Sequence, residues 1–210
     1  MLTVSTINVN GVRAAAPKGL SDWLTSTDAD VVCLQECRAL PEEFPELPPA
    51  WTLSYAPCDT AKGRNGVGVL TRQPPDAVRI GFGSTEFDSQ GRYLEVDLPG
   101  PGGGSPGLTI GSLYLPNGTA QTPKQDEKDR FLAEFAPYLV DRAAKAATED
   151  REVLVCGDWN IAHTEADIRN WQGNRRNSGF LPHERSWLGS VFESGYVDVV
   201  RALHPEVPGP

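Results

Sequence analysis

The chain has 210 residues, of which 39% are hydrophobic and 22% charged, ordinary globular values that exclude a wholly disordered, collagenous or coiled-coil protein. With 28 acidic residues against 19 basic ones, the net charge is −9. That balance argues against a nonspecific nucleic-acid coat protein, which would be basic, but not against an enzyme with a local basic lip and a metal in an acidic pocket.

Leu2–Ile7 alternates and is β-branched, which predicts a first strand. Leu20, Trp23 and Leu24 at helical spacing predict a helix over Lys18–Thr25. Val31–Leu34 is a short continuous apolar run, the pattern of a strand buried on both faces. Pro41–Pro49 is a loop. Trp51–Ala56, Gly66–Leu70 and Tyr93–Leu98 read as further strands. Pro99–Gly107 (PGPGGGSPG) is irregular and reads as a long hairpin tip before the strand Leu108–Leu115. Asp126–Ala147 is the strongest helix, with Phe131, Leu132, Phe135, Leu139 and Val140 on one face and Pro137 as an expected kink. Glu152–Cys156 is another buried strand, and Pro182–Glu193 a short helix with Pro182 at its start. Strands outnumber helices, yet helices are inserted at intervals. This pattern predicts two packed sheets with helices outside, an α/β sandwich formed as one domain over residues 1–210.

No stretch is long and apolar enough to span a bilayer, and the N-terminus lacks a charged segment followed by an apolar run. The expectation is a cytoplasmic protein without a membrane partner. Cys33, Cys37, Cys58 and Cys156 form no C-x-x-C pair and have no accompanying histidine cluster, so neither a zinc site nor a disulfide scaffold is expected. Cys33 and Cys156 read as small buried hydrophobes.

Polar residues directly follow several strands: Asn8-Val9-Asn10-Gly11, Gln35-Glu36, Tyr114-Leu115-Pro116-Asn117-Gly118 and Gly157-Asp158-Trp159-Asn160. Each alone is ordinary turn or strand-end chemistry. All of them together, at strand ends where ligands collect, favour a site. The donors are hard oxygens, which suit Mg²⁺ or Mn²⁺ and therefore phosphoryl chemistry.

Five motifs in order resemble the exonuclease III family of abasic-site DNA repair nucleases, within the endonuclease/exonuclease/phosphatase superfamily. They are INVNGVR at 7–13, LQECR at 34–38, GVGVL at 66–70, LYLPNG at 113–118 and GDWNIA at 157–162. The stretch His163–Leu188 (HTEADIRNWQGNRRNSGFLPHERSWL) resembles that family more narrowly than the superfamily. The resemblance implies a four-layer α/β sandwich of two packed, mostly antiparallel sheets flanked by helices. It also implies divalent-metal hydrolysis of DNA phosphodiesters, 5′ to abasic sites or at 3′ ends of duplex DNA, by a monomer. By position, Glu36 resembles the metal carboxylate, with Asn8 beside it. Asp158 resembles the group that orients or deprotonates the attacking water and, with Asn160, adjoins the metal. Asn160 resembles a donor to the transition-state phosphate and Tyr114 the phenol near the scissile phosphate. Asn10 stands where some relatives carry Asp.

The segment Asn170–Asn177 is basic and amide-rich in an acidic protein. Asn170, Asn174, Arg175, Arg176 and Asn177, with Asn117, are expected to contact the DNA backbone, a contact that positions a duplex without reading sequence. Arg64 and Asn65 are weaker candidates. None of His163, His183 or His204 is expected to be the catalytic base.

After Pro210 the sequence lacks what relatives carry next: an aromatic-rich segment, two strands, and a closing Ser-Asp-His motif with a further metal-site Asp and a catalytic Asp–His pair. The expectation is therefore a domain whose last strands are absent from this chain, itself part of a longer protein. Two alternatives stay open. One is a phosphoesterase of the superfamily acting on another substrate. The other, should the chain end at 210, is a catalytically impaired DNA-binding relative.

Overall fold

The computed structural model describes residues 2–102, 104–205 and 207. It separates into two compact units, residues 1–114 with 146–158, and residues 115–145 with 159–210.

The first unit holds two four-stranded sheets. One runs β1 (Val4–Asn8), β2 (Val31–Gln35), β4 (Val67–Thr71) and β3 (Thr52–Ala56) in the spatial order β1-β2-β4-β3. The other runs β5 (Ala77–Ile80), β6 (Tyr93–Leu98), β7 (Gly107–Tyr114) and β8 (Arg151–Asp158) in sequence order. The continuous apolar run of β2 follows from its place. Val31 and Cys33 pack into the core between the sheets with Val67, Val69, Leu94, Val96 and Ile110. Val32 and Leu34, one residue out of phase, pack on the other face with Val12, Leu24 and Trp51. A strand buried on both faces has no polar side to alternate with. The short helices α1 (Val12–Ala15) and α2 (Leu20–Ser26) contribute Val12 and Leu24 to that second face.

Within each sheet two neighbouring pairs are antiparallel and one is parallel, β1 with β2 and β7 with β8. The two parallel pairs decide where chemistry collects. In register, Asn8 lies opposite Gln35 and Tyr114 opposite Asp158. Polar residues that follow separate strands therefore emerge at one end of their sheet.

The second unit is built on α3 (Pro123–Thr148), most of which it contains, with α4 (Trp171–Asn174), α5 (Pro182–Glu193) and α6 (Val199–Leu203). Phe131, Leu132, Phe135 and Leu139 of α3 are buried, as are Leu188 and Val191 of α5. Trp187 Nε1 donates to the Leu132 carbonyl at 2.9 Å and fastens α5 to α3. The helix continues through Pro137 without interruption.

The strands and helices fall where the sequence pattern puts them, with Tyr93–Leu98 and Pro182–Glu193 reproduced residue for residue. The predicted α/β sandwich of two packed, mostly antiparallel sheets is what forms. The pattern did not disclose β5, an edge strand whose Val78 and Ile80 are exposed, nor the four- and five-residue helices α1, α4 and α6. The Leu98–Leu108 pair closes the β6–β7 hairpin, and Gly107, the last residue of the predicted Pro99–Gly107 tip, already belongs to β7; Gly103, and Pro208, Gly209 and Pro210 at the chain end, lie outside the described residues.

Gly157 and Asp97, both in the first unit, sit under tight local constraints. Gly157, one residue before Asp158, has φ +143°, and a Cβ there would lie 2.0 Å from the carbonyl oxygen of Leu113 on the paired strand. Backbone cannot yield to that contact. Gly157→Ala is expected to cost at least about 2 kcal/mol and to lower the thermal midpoint by roughly 5 °C or more; an unchanged midpoint refutes this. On the face of β6 turned away from the inter-sheet core, Asp97 accepts two hydrogen bonds from Arg79, at 2.6 and 2.7 Å, and one from Thr109 at 2.6 Å. Burial pushes the Asp97 carboxyl up, but the Arg79 and Thr109 hydrogen bonds and the Arg79 and Arg151 charges outweigh it and hold it below the usual range. Its stabilising contribution is therefore complete above the unfolded value near about 3.9 and is lost as pH falls through the lower folded value. The melting-temperature gap between wild type and Asp97→Asn should be wide at neutral pH and narrow as pH falls below the unfolded carboxyl value. A gap independent of pH contradicts the assignment.

Candidate active site

The centre of the first unit is an amide. Asn8, the last residue of β1, donates through Nδ2 to Glu36 Oε1 at 2.8 Å and to Asp158 Oδ2 at 3.0 Å. Asn8 ends β1 and Glu36 directly follows β2 of one sheet, while Asp158 ends β8 of the other, so a single NH₂ group links the two sheets at their strand ends. Two carboxylates sharing one neutral donor repel each other and gain from a cation between or beside them. Arg38 supplies one positive charge in an ion pair with Glu36 Oε2.

The backbone that presents Glu36 is unusual. Glu36 and Arg38 have φ of 52° and 51°, and Asn10 and Asn65 have 46° and 44°. Outside glycine such conformations cost of order 1–3 kcal/mol each and persist only when neighbours over-determine them. Here they do. Gly11 N–H donates to the Glu36 carbonyl at 2.7 Å, Cys37 N–H to Gly66 at 3.0 Å, and Arg38 N–H to Asn65 at 2.8 Å. Asn65 in turn donates from Nδ2 to the Gln90 carbonyl at 3.0 Å, and Asn10 N–H donates to Asn8 Oδ1 at 3.1 Å. Asn10 and Asn65 thus shape the loops around the carboxylates. Beneath them, buried Gln35 donates to Ser112 Oγ at 3.0 Å, and Ser112 donates to the Leu34 carbonyl at 3.0 Å, a second polar link between the sheets.

The electrostatics follow. Partial burial pushes the Glu36 carboxyl up, but hydrogen bonds from Asn8, Arg38 and Tyr114 and the Arg38 charge prevail and hold it below its ordinary value. Glu36 is ionised at neutral pH. Burial, and then the Glu36 charge, push the Tyr114 phenol up, so Tyr114 is a neutral O–H donor. The Arg92 guanidinium lies 5.1 Å over its ring. Among the described residues no group of three or more His, Cys, Asp or Glu side chains gathers as a protein-made metal cage. What the unit offers is two carboxylates with amide and phenol neighbours. That set fits a hard, partly hydrated cation such as Mg²⁺, which binds through one or two carboxylates and retains waters. The four cysteines are free thiols, with Cys156 half-buried and the other three buried.

The structure therefore brings together Asn8, Glu36, Tyr114 and Asp158 of the predicted set. Asn117, Asn160, Asn170, Asn174, Arg175, Arg176 and Asn177 belong to the second unit. Asn160 (φ 48°) donates from Nδ2 to the Leu115 carbonyl at 2.9 Å. Asn117 is exposed. In the loop around α4, Asn170 (φ 54°) precedes the helix and its carbonyl accepts from Gly173 and Asn174. Asn174 Nδ2 donates to the carbonyls of Arg169 and Asn170, both at 3.1 Å, and Asn177 Nδ2 donates to Asn174 Oδ1 at 3.0 Å. These amides build the loop. Arg175 and Arg176 are exposed, the former 5.6 Å from the Trp171 ring centre. Of the histidines, His163 stacks edge-on against Phe192 and its carbonyl accepts from Arg185. His183 pairs with Asp129 at 3.0 Å.

Sequence reasoning gave no role to Arg38, Gln35 or Gly157. Nor did it single out Lys128 and Glu184, although a readable signal was there. Lys128 sits on the same face of α3 as Phe131, Leu132 and Phe135, and Glu184 on the same face of α5 as Leu188 and Val191. A charge on an apolar helical stripe demands a buried partner.

Comparison with known proteins agrees with this geometry. Residues 5–203 match the model of the endonuclease/exonuclease/phosphatase family. The chain is 31% identical over 209 residues to the DNA repair nuclease APEX1 of Danio rerio, covering 98% of this chain but only 64% of that protein. It is 33% identical over 208 residues to exodeoxyribonuclease III of Haemophilus influenzae, covering 94% of this chain and 74% of that protein. The fold is that of an AP endonuclease from Archaeoglobus fulgidus, with a TM-score of 0.82 and 24% identity over 98% of this chain and 76% of that one. With two carboxylates from separate sheets meeting at one asparagine, and a family match along nearly the whole sequence, the chain belongs to the endonuclease/exonuclease/phosphatase family, among its exonuclease III-type members.

Proposed function

We propose that this chain carries the hydrolytic centre of a divalent-metal-dependent DNA repair nuclease, acting on duplex DNA 5′ to abasic sites and at 3′ ends. The observation that carries the reading is the Asn8 amide held between Glu36 and Asp158.

Asn8, Glu36, Asp158 and Asn160 are the residues that would hold Mg²⁺ or Mn²⁺. When bound, such an ion supplies positive charge to the phosphoryl and departing 3′ oxygens. The remaining work is positioning and charge stabilisation, as phosphoryl transfer requires. Asp158 accepts a hydrogen bond from a water and aligns it with the phosphorus, taking its proton as the new P–O bond forms and the bond from phosphorus to the 3′ oxygen breaks; that oxygen leaves with the electron pair and takes a proton from solvent. Asn8, by donating to Asp158 Oδ2, orients that carboxylate. Tyr114, kept neutral, donates its O–H to a phosphate oxygen. Asn160 donates an amide hydrogen to the same group without adding negative charge. Arg175 and Arg176 contact the DNA backbone, with Asn117, Asn170, Asn174 and Asn177 shaping or joining that contact. Backbone contacts fix the register of a duplex and leave its sequence unread. The acidic net charge is compatible with this reading because the positive charge needed at phosphate is local. The reading takes residues 1–210 as one catalytic domain. Among the described residues no helix is long and apolar enough to cross a membrane.

Cleavage of a duplex containing one abasic analogue tests the reading. Product should require the divalent ion, vanish with a chelator and return with Mg²⁺. Asp158→Asn should lower kcat at least about a hundredfold. A duplex left intact by the native protein at every Mg²⁺ and Mn²⁺ concentration, or an Asp158→Asn variant as fast as wild type, refutes it. Replacing both Arg175 and Arg176 by Ala should weaken duplex binding and reduce the slope of log K against log salt by about 2, close to one unit for each lost phosphate contact. An unaltered slope removes these residues from the interface.

A further inference from the structure

The second unit contains a charged cluster that the proposed chemistry does not use. Lys128 of α3 and Glu184 of α5 form an ion pair at 2.8 Å, and both side chains have no exposed surface. Glu184 is saturated with donors. Its Oε1 accepts from Lys128, from Gln125 at 3.0 Å and from Ser178 at 3.1 Å, while its Oε2 accepts from the backbone N–H groups of Gly179 at 2.7 Å and Leu181 at 3.0 Å. Burial pushes the Glu184 carboxyl up, but the Lys128 hydrogen bond and charge and the other donors prevail, so it is held ionised.

The lysine has a second target. Its Nζ donates to the carbonyl oxygen of Asn160 at 2.8 Å. Asn160 is in the left-handed conformation, φ 48°, which needs outside support. The same carbonyl is approached by Gly179, where a Cβ would stand 3.1 Å from it and where φ is +92°. The Gly179 carbonyl accepts from Ala162 N–H at 2.8 Å. Glu184 thus organises the turn through Gly179 and Leu181, and that turn together with Lys128 grips residues 160–162.

We propose that Lys128, fixed by Glu184, is a positioning residue that sets the main chain of Asn160 and thereby aims its side-chain amide. The proposal rests on the reading of Asn160 as a phosphate donor given above. Energetics favour orientation over stability as the reason for the pair. Replacing a buried ion pair by neutral groups of similar size is often neutral or stabilising, whereas an ion pair with extra hydrogen bonds fixes one geometry. Nor is the pair needed to join the helices, because Trp187 Nε1 already bonds the Leu132 carbonyl.

The test is the double variant Lys128→Met/Glu184→Gln, which removes both charges and keeps an acceptor for Gly179 and Leu181. Kinetics on the abasic-analogue duplex are read beside the thermal midpoint and the ¹H–¹⁵N resonance of the Asn160 side-chain amide. The expected result is an unchanged or raised midpoint, KM within about threefold of wild type and kcat lower by about a hundredfold, the size expected of a misplaced catalytic group. The Asn160 amide resonance should shift or broaden. Wild-type kcat in the variant overturns the proposal, as does a loss of kcat and midpoint together with an unmoved Asn160 resonance. If the native protein cleaves no DNA, the nuclease reading fails while the Asn160 resonance still decides positioning: shifted supports it, unmoved refutes it. Should the double variant not fold, the wild-type Lys128 ammonium protons decide. Slow exchange with solvent is expected, and exchange as fast as that of an exposed lysine sinks the idea.

Discussion

One hydrogen-bond donor group holds the proposed centre together. Asn8 Nδ2 binds a carboxylate of its own sheet and a carboxylate of the opposite sheet, 28 and 150 residues away in sequence. The two acids come within hydrogen-bond distance of one amide, and its two hydrogens bridge them without adding charge. An aspartate at position 8 would add a third negative charge at that point, and an alanine would remove the one donor the two carboxylates share. Everything that keeps the sheet ends adjacent, from the inter-sheet core of Val31, Cys33, Val69, Val96 and Ile110 to the Gln35–Ser112 link, serves this meeting.

The strained residues fit the same logic. Left-handed backbone at Asn10, Glu36, Arg38 and Asn65 gathers around the end of one sheet. Each turns the chain sharply where a strand ends, and each is held by backbone hydrogen bonds or by an asparagine side chain. Gly157 performs the corresponding task on the other sheet, where only a residue without Cβ can pass the Leu113 carbonyl. Strain at both sheet ends is the cost of presenting carboxylates from rigid strands in place of mobile loops.

The second unit uses a different device. Its core carries a lysine and a glutamate with no exposed surface, and the cluster includes a buried Gln125. A buried polar cluster is worth little as glue and much as a template, because each donor and acceptor accepts only one arrangement. The chain segment it arranges, residues 160–162, lies within two to four residues of Asp158 in sequence.

Much of this was legible in the residues. Alternation and apolar runs determined the main strands, helical spacing determined α2, α3 and α5, and the polar residues after four strands marked the site, because strand ends are where a sheet releases side chains from packing. Local chemistry also determined the turns, since Asn and Gly tolerate the left-handed backbone that a sharp reversal requires. What only the tertiary structure decided is partnership. No pattern states that Asn8 serves two carboxylates at once, that Gln35 bonds Ser112 across the core, or that Lys128 reaches the carbonyl of Asn160. The short edge strand β5, with exposed Val78 and Ile80, escaped notice for a related reason: its place comes from pairing with β6, not from its own periodicity. Periodicity is a property of neighbours along the chain, while hydrogen-bond partners tens of residues apart are chosen by how sheets and helices pack.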